Sequence, residues 1–239
     1  MFESLEATTS VLLGTTATVA VVHTVLGIDH SLPFVVLARA RGWTLGRTVA
    51  ITALCGAGHV ASSVLIGAFG AAIGATFDSL VWLESARAEL AAALLIGFGL
   101  AYAAWAVWRS LRGATHSHLH AHVDGTVHAH PHDHHGEHMH PHLVGASLTP
   151  WALFVIFVLG PCEPLIPLMV VPAMSQSWTL VAAVVGVFGM LTVGTMVATV
   201  ILGYRGLRLI GSLPIARYAN VLAGLVVAAS GAAVLFLGL

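Results

Sequence analysis

Three small clusters of reactive side chains interrupt an otherwise apolar chain. HTVLGIDH (23–30) supplies His23, Asp29 and His30. CGAGH (55–59) supplies Cys55 and His59, and GPCEP (160–164) supplies Cys162 and Glu163. Imidazole, thiolate and carboxylate together suit late first-row divalent ions. His23 and His30 are seven residues apart, close to two helical turns, and Cys55 and His59 are four apart, on one helical face. Each has a plainer reading. A histidine inside an apolar span also serves as a hydrogen bonder between helices, and His59, among small residues, suits a close helix contact. A buried cysteine behaves as a small hydrophobe. On that ground Cys55 reads as a packing residue, and the candidate metal ligands are His23, Asp29, His30, His59, Cys162 and Glu163.

Twelve of the fifteen histidines fall in one tract, 116–142: His116, His118, His120, His122, His128, His130, His132, His134, His135, His138, His140 and His142. A histidine-rich tract of low complexity reads as metal binding. It lacks hydrophobic periodicity and is expected to be disordered, offering many weak, exchangeable sites; the plain alternative is a solvated linker. Only neutral imidazole ligates, so its affinity should rise as the pH passes roughly 6.5. Nickel, cobalt, zinc and copper all accept imidazole, so the tract does not choose among them.

The elements that must position these residues follow from composition. Hydrophobic residues make up 58% of the 239 and charged residues 8%, against about 25% charged in soluble domains. That deficit leaves too little polar surface to face water, so the chain reads as an integral protein of the cell membrane with lipid as a partner. All nine basic residues are arginine and none cluster, which gives no footprint for nucleic acid. The start, MFESLEATTS, is acidic and lacks the basic region of a cleaved signal peptide. A spanning helix needs about 20 apolar residues. Stretches near 48–71, 88–109, 149–174, 177–203 and 218–238 qualify, and a sixth, near 10–38, is too long for one straight span and is expected to break around Gly27–Pro33. Residues 75–87 fit either an interfacial helix or a loop. Six spans place both termini on one side. Eight of the nine arginines lie in loops on the opposite side and only Arg87 on the termini's side, so the positive-inside rule puts the termini outside and the 110–148 loop in the cytoplasm.

The two halves of the chain resemble each other. GIDHSLPFVV (27–36) aligns with GPCEPLIPLM (160–169), GWTL (42–45) with SWTL (177–180), and GHVASSVLIG (58–67) with GTMVATVILG (194–203), at offsets of 133 to 136. The expected fold is therefore an all-α integral membrane protein of six transmembrane helices. It would comprise two inverted three-helix repeats (1–109 and 149–239) joined by the His-rich cytoplasmic loop (110–148), with proline-broken helices 1 and 4. Proline frees backbone carbonyls, and in lipid each costs several kcal/mol unless satisfied. An ionised carboxylate at mid-bilayer costs on the order of 3 kcal/mol. Both breaks should thus face protein, with a cation offsetting Asp29 and Glu163.

On HTVLGIDH, GAGHVASS, the six spans and the His-rich loop, the chain resembles nickel/cobalt transporters of the superfamily that includes UreH-like (NicO-type) membrane proteins. Where that family's signature has four residues between His and Asp-His, five stand here. The resemblance implies a nickel site at His23, Asp29, His30 and His59. A second resemblance is to DsbD-like thiol–disulfide carriers, through GPCEPLIP; there each repeat supplies a cysteine, whereas the counterpart of Cys162 here is Asp29. The expectation is a secondary transporter, not an enzyme. It would move a divalent transition-metal ion (nickel or cobalt, with zinc admissible) as cargo and hold no tight cofactor. The alternatives are a transmembrane thiol–disulfide carrier and an exporter of a small anion or organic solute. Direction of transport, coupling ion and oligomeric state are not legible in the sequence.

Overall fold

A computed structural model describes residues 2–72, 76–111, 116–121, 127–132, 148–209 and 218–237. The apolar body is entirely helical: α1 (Phe2–Leu26), a short turn of 3-10 helix at Ile28–His30, α2 (Leu32–Arg41), α3 (Leu45–Ala72), α4 (Phe77–Leu111), α5 (Leu148–Leu159), α6 (Leu165–Met174), α7 (Trp178–Leu209) and α8 (Ala219–Leu237). Five of them, α1, α3, α4, α7 and α8, are long and apolar enough to cross a bilayer. The span over 149–174, expected to be broken by proline, consists of two short helices, Thr149–Leu159 and Leu165–Met174, each below the roughly 20 residues a span needs. The expected count of six is therefore not reached by single helices.

The surface is that of a protein immersed in lipid. Leu65, Trp82, Leu111, Met174, Met190 and Phe236 all stand exposed, while Thr16, Thr48, Thr52 and Ser63 are fully buried. Soluble monomers do not display so much contiguous apolar surface. Some buried hydroxyls are satisfied within their own helices: Thr24 donates to Ala20 O at 2.7 Å and Thr52 to Thr48 O at 2.9 Å. α4 lies along α8 at backbone contact; a Cβ added to Gly224 would fall 2.6 Å from Gly99 O. Small residues there let the helices approach as membrane helices commonly do.

Within the 75–87 stretch, residues 77–87 form no separate helix or loop. From Phe77 the chain belongs to α4, which runs unbroken to Leu111. Leu80, Glu84, Ala91, Leu95, Gly99, Tyr102 and Ala106 recur at helical spacing and form its buried face. Glu84 enters that stripe because Arg87, one turn on, is paired with it.

The chain breaks twice. α1 stops at Leu26, and α2 restarts at Leu32 with Pro33 in its first turn, where a missing N–H costs nothing. α5 stops at Leu159, and Pro164 precedes α6. α2 ends in the left-handed Gly42, whose N–H caps Ala38 O and Arg39 O. Outside the apolar body, the backbone of His116–Ala121 pairs antiparallel with Val127–His132, with His118 opposite His130. This stretch departs from the expected disorder because alternation at period two suits an extended pair. His122, His134, His135, His138, His140 and His142 lie outside the described residues, as do the side chains of the other loop histidines, so their expected role as ligands stays an expectation.

Candidate metal centre

The first break and the middle of α3 bring three histidines together. His23 sits in the last turn of α1, His30 closes the 3-10 turn, and His59 lies mid-way along α3. The rings of His23 and His30 have centroids 4.9 Å apart, and those of His30 and His59 5.2 Å apart. One ring nitrogen from each lies within 4.8 Å of the others, and among the described residues these three form the grouping of potential ligands close enough together to share an ion.

What the nitrogens do is decided by their neighbours. His30 Nδ1 lies 2.9 Å from Asp29 Oδ1, and His59 Nδ1 lies 3.3 Å from Phe157 O. An ionised carboxylate and a backbone carbonyl only accept. Both Nδ1 atoms therefore carry the proton when the rings are neutral, and both Nε2 atoms present a lone pair. Nε2 of His23, His30 and His59 are all buried with no hydrogen-bond partner. Unsatisfied buried polar atoms are uncommon and carry a free-energy cost, and three together make the group strongly suited to a cation. For an ion bound at about 2.1 Å from each nitrogen, tetrahedral donors stand about 3.4 Å apart, so ring nitrogens within 4.8 Å of one another need close by no more than about 1.4 Å.

Local structure aims the rings. Gly27 is extended, with φ −70° and ψ 94°, and a Cβ there would overlap His30 Nδ1 and lie 2.8 Å from its Cε1. At the second break a Cβ on Gly160 would lie 3.3 Å from His59 Nδ1. Each break thus places a glycine against a site histidine. Asp29 keeps 26% of its side chain exposed, while His30 keeps 5%. A cavity of about 40 Å³, lined by Asp29, His59, Ala88, Leu95, Phe157 and Gly160 among others, adjoins the carboxylate; it has room for water-sized species.

The remaining expected ligands fall elsewhere. Cys162 is fully buried in a cluster with Ala20, Val60, Leu165 and Phe188, and Cys55 in a separate core with Phe34, Leu153 and Met196. Both thiols are free. Glu163, next in the chain, is exposed. Neither Cys162 nor Glu163 belongs to the histidine grouping; the two-residue step at the break turns one inward and the other out. Asp29 joins the site through His30 rather than as a member of the ring-nitrogen trio. Sequence reading passed over Glu84, Arg87, Ser62 and Ser63, which hold the second break. An acidic and a basic residue three apart inside an apolar stretch was the available signal.

The chain matches no family model, no curated protein and no solved structure.

Proposed function

We propose that the chain is a secondary transporter of a late first-row divalent ion, nickel or cobalt being those that the sequence resemblance names. In this reading His23, His30 and His59 bind the ion through Nε2, and Asp29 acts one shell out, fixing the His30 tautomer and balancing charge. The observation that carries it is the grouping of three histidines that each hold a buried, unpartnered Nε2 and bring a ring nitrogen within 4.8 Å of the others, two of the rings being oriented by acceptors at Nδ1. Carboxylate and carbonyl partners behind ligating histidines are a recurrent device of metal sites. The ends of α1 and α5 add support: helix C-termini carry partial negative charge and favour a cation, and His23 lies at one while His59 is tied to the other.

α5 and α6 together act as a sixth, broken span, and 1–109 and 149–239 are inverted repeats. Supporting this, the breaks at 27–31 and 160–164 share one offset, and α2 and α6 both run ten residues. The packing also exchanges: α1 lies on α7 while α5 lies on α3, and α2 touches α7 while α6 touches α3. Transporters of this plan hold cargo near the bilayer midplane and rock one half against the other. The test is uptake of Co2+ and Ni2+ into proteoliposomes. The intact chain is expected to show saturable flux, and His30→Ala, still folded by its unfolding midpoint, to lose it. Unchanged flux in that variant would remove the three-histidine site from the pathway.

A further inference from the structure

The second break is held by groups that the metal centre does not itself use. Arg87 Nη2 donates to Val158 O at 2.9 Å, to Gly160 O at 3.2 Å and to Ser62 Oγ at 2.8 Å. Its Nη1 donates to Glu84 Oε1 and, at 3.4 Å, to Ser63 Oγ. Ser63 donates to Glu84 Oε2 at 3.1 Å, and the amide of Cys162 donates to Ser63 Oγ at 3.0 Å and lies 3.2 Å from Glu84 Oε2. One hydroxyl thus gives its proton to the carboxylate and accepts from both sides, its full capacity. The pair is buried: side-chain exposure is 2% for Glu84 and 11% for Arg87.

These bonds divide one helix end between two owners. Of the last carbonyls of α5, Phe157 O takes the proton of His59 Nδ1, while Val158 O and, just beyond the helix, Gly160 O take Arg87. Gly160 also abuts the His59 ring. We infer that Glu84 and Arg87 are positioning residues for the metal centre, holding the end of α5 where Phe157 O fixes the tautomer and aim of His59. This rests on the metal-site reading above. Neither residue touches the ion. A lysine at 87 would keep the charge, but its ammonium has three donors and no planar fork, so it cannot serve the carboxylate, Ser62 and two carbonyls together.

The test titrates the full-length chain in detergent with Co2+, following its visible ligand-field bands. The site signal is the part lost in His59→Ala, which cancels the His-rich loop. Arg87→Lys and Glu84→Gln are expected to weaken that signal's affinity by about 10–100-fold, the usual cost of disturbing an outer-shell partner, and to shift its bands. In the His59→Ala background, Arg87→Lys should change residual affinity by no more than about twofold, because a residue acting through His59 has nothing left to act on. Ser63→Ala, which removes no charge, gives a second reading in case the others do not fold; it too should weaken binding only while His59 is present. An unchanged affinity in these variants, or an equal loss with and without His59, would overturn the positioning role and leave the metal site standing. Absence of any His59-dependent Co2+ signal would overturn both.

Discussion

The chemistry of the three histidines turns on what sits behind them. Asp29 and Phe157 O can only accept, so they force protons onto Nδ1 of His30 and His59 and leave Nε2 free for an ion. Asp29→Asn preserves an oxygen that can accept the Nδ1 proton but removes the negative charge beside the cation. It is expected to weaken His59-dependent Co2+ binding by about 10–100-fold, measured by the same titration. A milder effect follows at the thiols. Cys55 and Cys162 lie in separate apolar clusters away from the trio. The double variant Cys55→Ala, Cys162→Ala should keep its Co2+ affinity within about threefold, the loss being one of packing only. The intact protein's Co2+ spectrum should lack a sulfur-to-metal charge-transfer band. Appearance of that band, abolished by Cys162→Ala, would return Cys162 to the ligand set. The types of chemistry at His23, Asp29, His30 and His59 were legible in sequence because polar residues are conspicuous in an apolar chain. Which of the neighbouring Cys162 and Glu163 faces inward was not, because a break has no period from which to read a face.

At the scale of elements, the breaks are built rather than merely permitted. Gly27 lies where any Cβ would collide with the His30 ring. Gly27→Ala is expected to push His30 off Asp29 and reduce metal affinity at least as strongly as Asp29→Asn, while leaving helix content by circular dichroism unchanged. Wild-type affinity in that variant would mean the backbone yields instead of the ring. The second break shows why its carbonyls tolerate an apolar setting: Arg87 reaches in from α4 to satisfy two of them. This also corrects the use of Arg87 in reading orientation. It is an internal hydrogen-bond donor bound to Glu84, so it is not evidence about which loop meets which solvent. The spans at α3, α4, α7 and α8 were legible from apolar length alone. The start of α4 was not, since residues 75–87 look amphiphilic until Glu84 and Arg87 are seen to neutralise each other within the stripe.

At the scale of the molecule, the two short helices raise a choice that the sequence did not pose: α5 and α6 either count together as one crossing or fold back to the side they came from. The two answers place everything after Met174 on opposite sides. If the pair crosses, the chain has six spans, the halves are inverted, and Ser110 at the end of α4 and Ser175 after α6 face different compartments. If the pair re-enters, the five long helices are the only crossings, Ser175 lies on the side of Ser110, and the α1/α7 and α3/α5 contacts lose their meaning as an exchange. Both serines are exposed, and the arginines of α2, α3 and α4 stack on aromatic rings near the Ser110 end: Arg41 on Tyr102 and Trp105, Arg47 on Trp43, Arg109 on Trp105. Aromatic rings mark an interface, and arginines favour the cytoplasmic one. In a Cys55→Ala, Cys162→Ala background, Ser175→Cys is therefore expected to react with an impermeant maleimide added to intact cells. Ser110→Cys should react only after the membrane is opened. Labelling of both from the same side would reduce the protein to five crossings and remove the inverted plan on which the proposed rocking cycle depends, while leaving the proposal of ion binding at the histidine trio to its own tests.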